Sequence, residues 1–203
     1  MLRITNKVSL VVLSLFLVLT AFGGYAVASA PQNAPPGSSL SQRIAQRKKE
    51  RQVRLDQDNT ERIQGQCTNA QSKLRTLNDS YTTSADKRDS VYRGIDAKLW
   101  IIIGSLKLIN KDTFKLEQQR SAYLKKVKAF ENQSDQFQQA ISDMEAMNCK
   151  ADPEGFQALL ETARLYNAQI RSSFTSIKSY LVDHISPTVN QYADELKIKT
   201  STE

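Results

Sequence analysis

One histidine and two cysteines are the whole supply of imidazole and thiol in these 203 residues. That poverty argues against a His/Cys metal cluster and leaves little from which to assemble a Ser–His or Cys–His nucleophile. The lone His184 lies between Asp183 and Ile185, which reads as a boundary residue with one hydrogen bond rather than a ligand or base. A glycine-rich phosphate loop, an H-E-x-x-H pair, an EF-hand loop and a G-x-S-x-G turn are all missing. The carboxylates are scattered beside lysine and arginine, as solvated helix-surface pairs are. No cofactor is expected, and the chain reads as a non-enzyme.

Glycine (7), proline (5) and aromatics (7%) are also scarce, which disfavours a turn-rich β fold and suits long helices. Charge is not scarce: 28 basic against 21 acidic residues give a formal +7. That mild excess is compatible with anionic polymers or membranes without selecting either.

What is present begins with an export pattern. Arg3 and Lys7 precede an apolar run from Val8 to Phe22, then Gly23-Gly24 and the small-residue segment Ala26-Val27-Ala28. This is the layout of a secretory signal peptide over residues 1–30, with cleavage expected after Ala28. The same stretch, Val8 to Ala28, would also make about 31 Å of helix, so an uncleaved N-terminal membrane anchor fits as well. Either way the functional part is expected outside the cytoplasm, secreted or anchored. Residues 31–39 (P-Q-N-A-P-P-G-S-S) have nothing to bury and read as a disordered linker.

Residues 40–66 read as a basic helical arm, opened by a Ser39-x-x-Gln42 capping box. Arg43, Arg47, Lys48, Lys49, Arg51 and Arg54 face only Glu50 across the twelve residues from Arg43 to Arg54. The plain expectation is a solvated stalk. The sharper one is contact with a membrane surface or an anionic envelope polymer. No aromatic interleaves these cations, so there is no specific nucleic-acid signal.

From Ile63 to Ile109 an apolar ladder runs in steps of four and three: Ile63, Cys67, Ala70, Leu74, Leu77, Tyr81, Ala85, Arg88, Tyr92, Ile95, Leu99, Ile102, Leu106, Ile109. That spacing lays one stripe along a helix, the seam another helix packs against. Asn78 to Ser84 is a weak point within it rather than a break. A looser ladder follows from Leu116 to Met144. Asp152-Pro153-Glu154 then starts a third helix, with an N-cap, proline at the first position and acid in the first turn. Ser186-Pro187 is expected to break that helix, leaving a short C-terminal helix and tail over residues 187–203.

In an exported chain Cys67 and Cys149 read as a disulfide. On one straight helix they would lie roughly 120 Å apart, whereas a bridge needs Cα atoms within about 7 Å. The chain must therefore double back, and Asn110-Lys111-Asp112-Thr113 is the best place. Folding about residue 111 puts Cys149 opposite a position near 73, which misses Cys67 by about 9 Å along the axis. The result is an all-α fold: an antiparallel three-helix bundle or coiled-coil hairpin over residues 67–186, with an N-terminal helical extension and one disulfide. A parallel coiled-coil spacer or filament with an intermolecular bridge is the rival. The run Leu99-Trp100-Ile101-Ile102-Ile103 is apolar on every side. The tail is expected to cover Trp100 and Ile101; uncovered, Trp100, Ile101 and Ile103 would be an apolar patch for a partner or a membrane.

The string Cys149-Lys150-x-Asp152-Pro153-x-Gly155-Phe156, with a helix before it and a cysteine upstream, resembles a group of small exported two-cysteine helical proteins of small-genome uncultivated bacteria. The resemblance covers roughly residues 60 to 190 and implies the two-cysteine bundle; the group has no assigned activity and supplies no functional residues. The reading as a whole is an exported cell-envelope helical bundle acting through protein or polymer contacts, with a membrane- or polymer-binding arm as the alternative.

Overall fold

The computed structural model describes residues 37–200, with side chains to Leu196, so the signal or anchor segment and most of the linker lie outside the described residues. Among the described residues five α-helices follow one another: α1 (Leu40–Arg51), α2 (Gln57–Leu108), α3 (Phe114–Ala146), α4 (Pro153–Tyr180) and α5 (Ser186–Thr200), with a π-helical turn, Leu181–Ile185, joining the last two. No strand is found among the described residues. The central helix is α3, which packs along both α2 and α4, while α2 and α4 touch only locally.

The long hairpin of α2 and α3 keeps one register over most of its length. Cys67–Cys149, Tyr81–Ser134 and Asp96–Arg120 are partners whose residue numbers add to 215 or 216. Its fold point is therefore near residue 108 and not 111, which removes the axial gap that the sequence leaves at the cysteines. The two residues are bridged with Cα atoms 5.7 Å apart, and the bond is intrachain. A parallel rod bridged between chains is thereby replaced by a hairpin. The disulfide also implies folding in an oxidising, extracytoplasmic setting.

Local chemistry explains each turn. Asn110 takes the left-handed conformation (φ 55°) and the Lys111 amide closes back on the Leu106 carbonyl, a tight helix stop. Asp112 Oδ1 then accepts from the Phe114 amide at the start of α3. Through Asn78–Ser84, α2 continues unbroken, with Thr82, Thr83 and Ser84 donating their hydroxyls to the carbonyls of Asn78, Asp79 and Ser80, an arrangement a helix tolerates without breaking. At the disulfide end the Gln71 amide donates to the carbonyls of Met144, Glu145 and Met147, satisfying the end of α3 from a neighbouring helix.

The core follows the ladders of the later helices, but in α2 the rungs Leu77 and Ile109 are exposed and Ile103 is buried where the ladder expects Ile102. Leu116, Tyr123, Val127, Phe130, Phe137, Ile141 and Met144 of α3 are buried against Tyr92, Leu99, Ile103 and Leu106 of α2 and Leu159, Ala163, Tyr166, Ile170 and Ile177 of α4. Arg88, the charged rung, stays in the seam by laying its guanidinium over the rings of Tyr81 and Phe130. Tyr92 meets Phe130 edge-on at 5.3 Å, and the Tyr123 hydroxyl donates to the Tyr92 carbonyl.

Burial pushes the Tyr92 phenol up to about 12, and raises that of Tyr123 as well. Only the neutral phenols fit the core, so the folded state is unaffected below the free phenol's value of about 10. Above it the unfolded chain ionises first, and stability should fall as pH climbs from about 10 to about 12. Absorbance of tyrosinate near the unfolding midpoint, followed against pH, checks this; ionisation of all seven tyrosines below pH 10 without unfolding would refute it.

Two sequence expectations are corrected here. The first concerns the arm. Residues 40–66 do not form one solvated helix: α1 ends at Arg51, Gln52 is left-handed (φ 50°), and α2 begins at Gln57 behind an Asp56 N-cap. The short α1 packs on α4 and reaches α3 through the side chains of Arg43 and Arg47. The expected Ser39–Gln42 capping box is present. The second concerns Pro187. Instead of breaking the chain it is absorbed by the π turn, whose Ser186 amide reaches back to Leu181. The wider turn keeps α4 and α5 on one course, so α5 reaches the α2–α3 turn. There the Tyr192 hydroxyl donates to the Asp112 carbonyl at 2.6 Å and Lys111 pairs with Glu195.

Candidate functional site

Two surfaces compete for a role, the cationic α1 and the far end of α2. On α1 the structure brings four of the six candidate cations into the protein itself. Arg43 holds buried Asp143 with Nε at 2.9 Å and Nη2 at 2.6 Å, and that bond raises its guanidinium further above its ordinary value. Arg47 is buried, paired with Glu50 at 2.7 Å and within reach of Gln136. Lys48 bridges Asp152 and Glu154 at the start of α4 (3.0 and 3.2 Å), and its ammonium is raised chiefly by the Asp152 bond. Arg51 donates to buried Thr162. Of these six cations, only Lys49 and Arg54 are exposed without an ion pair among the described residues. The six therefore do not form a free cationic face. Four of them are docking groups, and most of the pattern that looked like a solvated arm is the way a polar helix is fastened to two others.

Between α1 and α3 lies a cleft of about 320 Å³, lined by Arg43, Arg47, Gln136, Gln139 and Asp143 among others. Its two arginines are already engaged, Arg43 by Asp143 and Arg47 by Glu50, and the carboxylates on its wall are Asp143 and the exposed Asp135, so no surplus of cations faces into it. No group of three or more His, Cys, Asp or Glu side chains able to hold a metal occurs among the described residues. His184 is exposed, its ring 4.8 Å from that of Tyr180.

The second surface is different in kind. Trp100 is 62% exposed, Ile101 65% and Leu108 86%, because α5 passes over the α2–α3 turn and leaves this face of α2 bare. The expected covering by the tail does not occur. Ile103, expected in the same patch, is only 2% exposed and belongs to the core. On a 100° step Ile103 lies on the α3 side of the helix, whereas Ile101 points the opposite way.

The exposed residues have an order that the core ladder hid. Gly94, Ala97, Ile101, Gly104 and Leu108 follow steps of three and four along the outward side of α2, and all five are exposed. The same stripe continued toward the N-terminus reads Ser90, Lys87, Thr83, Ser80, Thr76 and Lys73, polar throughout. The change at Gly94 was readable as a second heptad phase, but a run apolar on all sides conceals which positions face out. Trp100 flanks the stripe, with the Arg120 guanidinium 4.9 Å from its ring centre. Arg120 is itself held by both oxygens of Asp96, at 2.7 and 2.9 Å. Trp100 is thus oriented while its outer face stays open.

No helix among the described residues is long and apolar enough to cross a membrane. Comparison of the chain with protein-family models, with curated proteins and with solved structures returns no match.

Proposed function

We propose that this chain is a non-enzymatic, exported cell-envelope protein that works by contact, with the bare face of α2 as its contact surface. The observation that carries the reading is the switch of the outward α2 stripe from polar to apolar at Gly94, on a helix whose opposite side is fully engaged by α3. A contiguous apolar face on a water-facing helix costs solubility unless something covers it. A disulfide-closed hairpin supplies the rigidity that such a surface requires, since ordering on binding then costs little. The export-like N-terminal sequence and the oxidised cysteines support an envelope location.

The test is site-specific photo-cross-linking in the native envelope, with the reactive group placed at position 101 or, as control, at position 73 on the polar part of the same stripe. Adducts of protein, lipid or polymer should form from 101 well above those from 73. Equal yields, or turnover of a generic ester, peptide or glycan substrate by the purified chain, would overturn the proposal.

A further inference from the structure

We infer that the occupant of the α2 face is the surface of an anionic lipid membrane, contacted by Trp100, Ile101 and Leu108 with lysines at the rim. This deepens the contact reading above and rests on it. The face spans residues 94–108, about 21 Å of helix, and presents Gly94, Ala97, Trp100, Ile101, Gly104 and Leu108 to solvent. Its small residues keep the helix low, so three large side chains stand out from it. One of them is a tryptophan, the side chain that prefers the level of lipid headgroups. Helices of this make-up, apolar on one side and edged by lysine, lie in the interface and sink a few ångströms into it.

Charge selects the membrane over a second copy of the chain. Within Ser90–Lys111 the single carboxylate is Asp96, held by Arg120; of the cations, Arg93, Lys107 and Lys111 are paired with carboxylates from outside the stretch (Asp89 and Glu131, Glu117, Glu195), and Lys98 is left without an ion pair. Lys98 is exposed on one edge of the face and has no ion pair among the described residues; Lys115, at the start of α3, is exposed in the same way. Lys107, on the other edge, is 57% exposed at the side chain and so keeps its ammonium in water even while paired with Glu117. Two copies joined through this face would bring the unpaired Lys98 edges together, and the face itself, residues 94–108, carries no carboxylate but Asp96 to meet them. An anionic headgroup layer is complementary to both edges at once, and the long lysine side chains can reach it while the apolar centre is buried.

The protein carries its own probe, because Trp100 is the only tryptophan. Emission from the full chain is to be recorded with vesicles containing phosphatidylglycerol, with vesicles of phosphatidylcholine alone, and in a protein concentration series without lipid. The expected result is a blue shift and protection from acrylamide with the anionic vesicles only, weakened by high salt. In the double variant Ile101→Ser/Leu108→Ser the apparent partition coefficient should fall at least about tenfold, since two buried aliphatic side chains are lost from the contact. Both positions are exposed, so an unchanged melting curve will show that the fold is kept.

A shift that persists in that variant would mean that the apolar N-terminal residues alone bring the chain to lipid, and would overturn the inference. So would an equal shift on phosphatidylcholine, no shift on any vesicle, or a shift produced by protein concentration alone. If position 101 cross-links to a protein in the envelope while vesicles leave Trp100 unmoved, the contact reading stands and the lipid inference falls. If both measurements fail, both fall.

Discussion

Replacing Cys67 and Cys149 together by alanine is expected to lower the melting temperature by about 10 °C. The bridge closes a loop of 82 residues, for which chain-entropy arguments give a stabilisation of about 4 kcal/mol. For a domain of this size each kcal/mol corresponds to about 2–4 °C. Packing makes the loss worse locally. Cys149 is fully buried and Cys67 nearly so, and the Gln71 side chain, one turn from Cys67, holds three carbonyls at the end of α3. Freed from the bridge, that end loses both its covalent tether and its alignment with Gln71. Thermal unfolding followed by circular dichroism, with and without reductant, measures the effect. An unchanged midpoint, with both thiols shown to be free, would remove the disulfide from the account of stability.

A valine in place of Gly155 should detach α1 from the bundle at a cost of about 1–3 kcal/mol, the usual range for overpacking a tight site. A Cβ built at Gly155 would lie 2.7 Å from Ile44 Cγ2 and would collide with the Asp152 carboxylate. That carboxylate does two things: it caps α4 by accepting from the Gly155 amide at 3.0 Å, and it receives Lys48 from α1. One substitution therefore strikes the apolar contact and the ionic contact of α1 together. Amide exchange over Leu40–Arg51 should accelerate while the α2–α3 hairpin keeps its protection. Exchange that rises equally everywhere, or nowhere, would show that Gly155 does not hold α1 in place.

These two variants mark how far the sequence could be read. The disulfide was legible, because two distant cysteines that pair within one chain need a hairpin and Asn110–Thr113 is the best place for it. Its register was not, since the fold point near residue 108 depends on how α2 and α3 interlock. Gly155 appeared in the sequence only as part of a motif. Its role emerges from Ile44, 111 positions earlier, lying against it. The cations of α1 looked solvated because their partners Asp143 and Asp152 lie about 100 residues away, beyond the reach of any local pattern.

The candidate site shows the same division. That residues 99–103 are apolar on every side is a property of the sequence. Whether such a run ends up covered depends on where α5 travels, and that was decided by a π turn that absorbs Pro187.

By itself the sequence determined the all-helical class, the caps at Ser39 and Asp152, the hairpin and the oxidised pair. These follow from short-range rules: side-chain periodicity, terminal hydrogen bonding, and the reach of a disulfide. Only the tertiary structure decided that α1 is fastened to the bundle and that one face of α2 is left bare. Both outcomes depend on which surfaces meet across a hundred residues of chain, and burial is a property of the meeting, not of either segment alone.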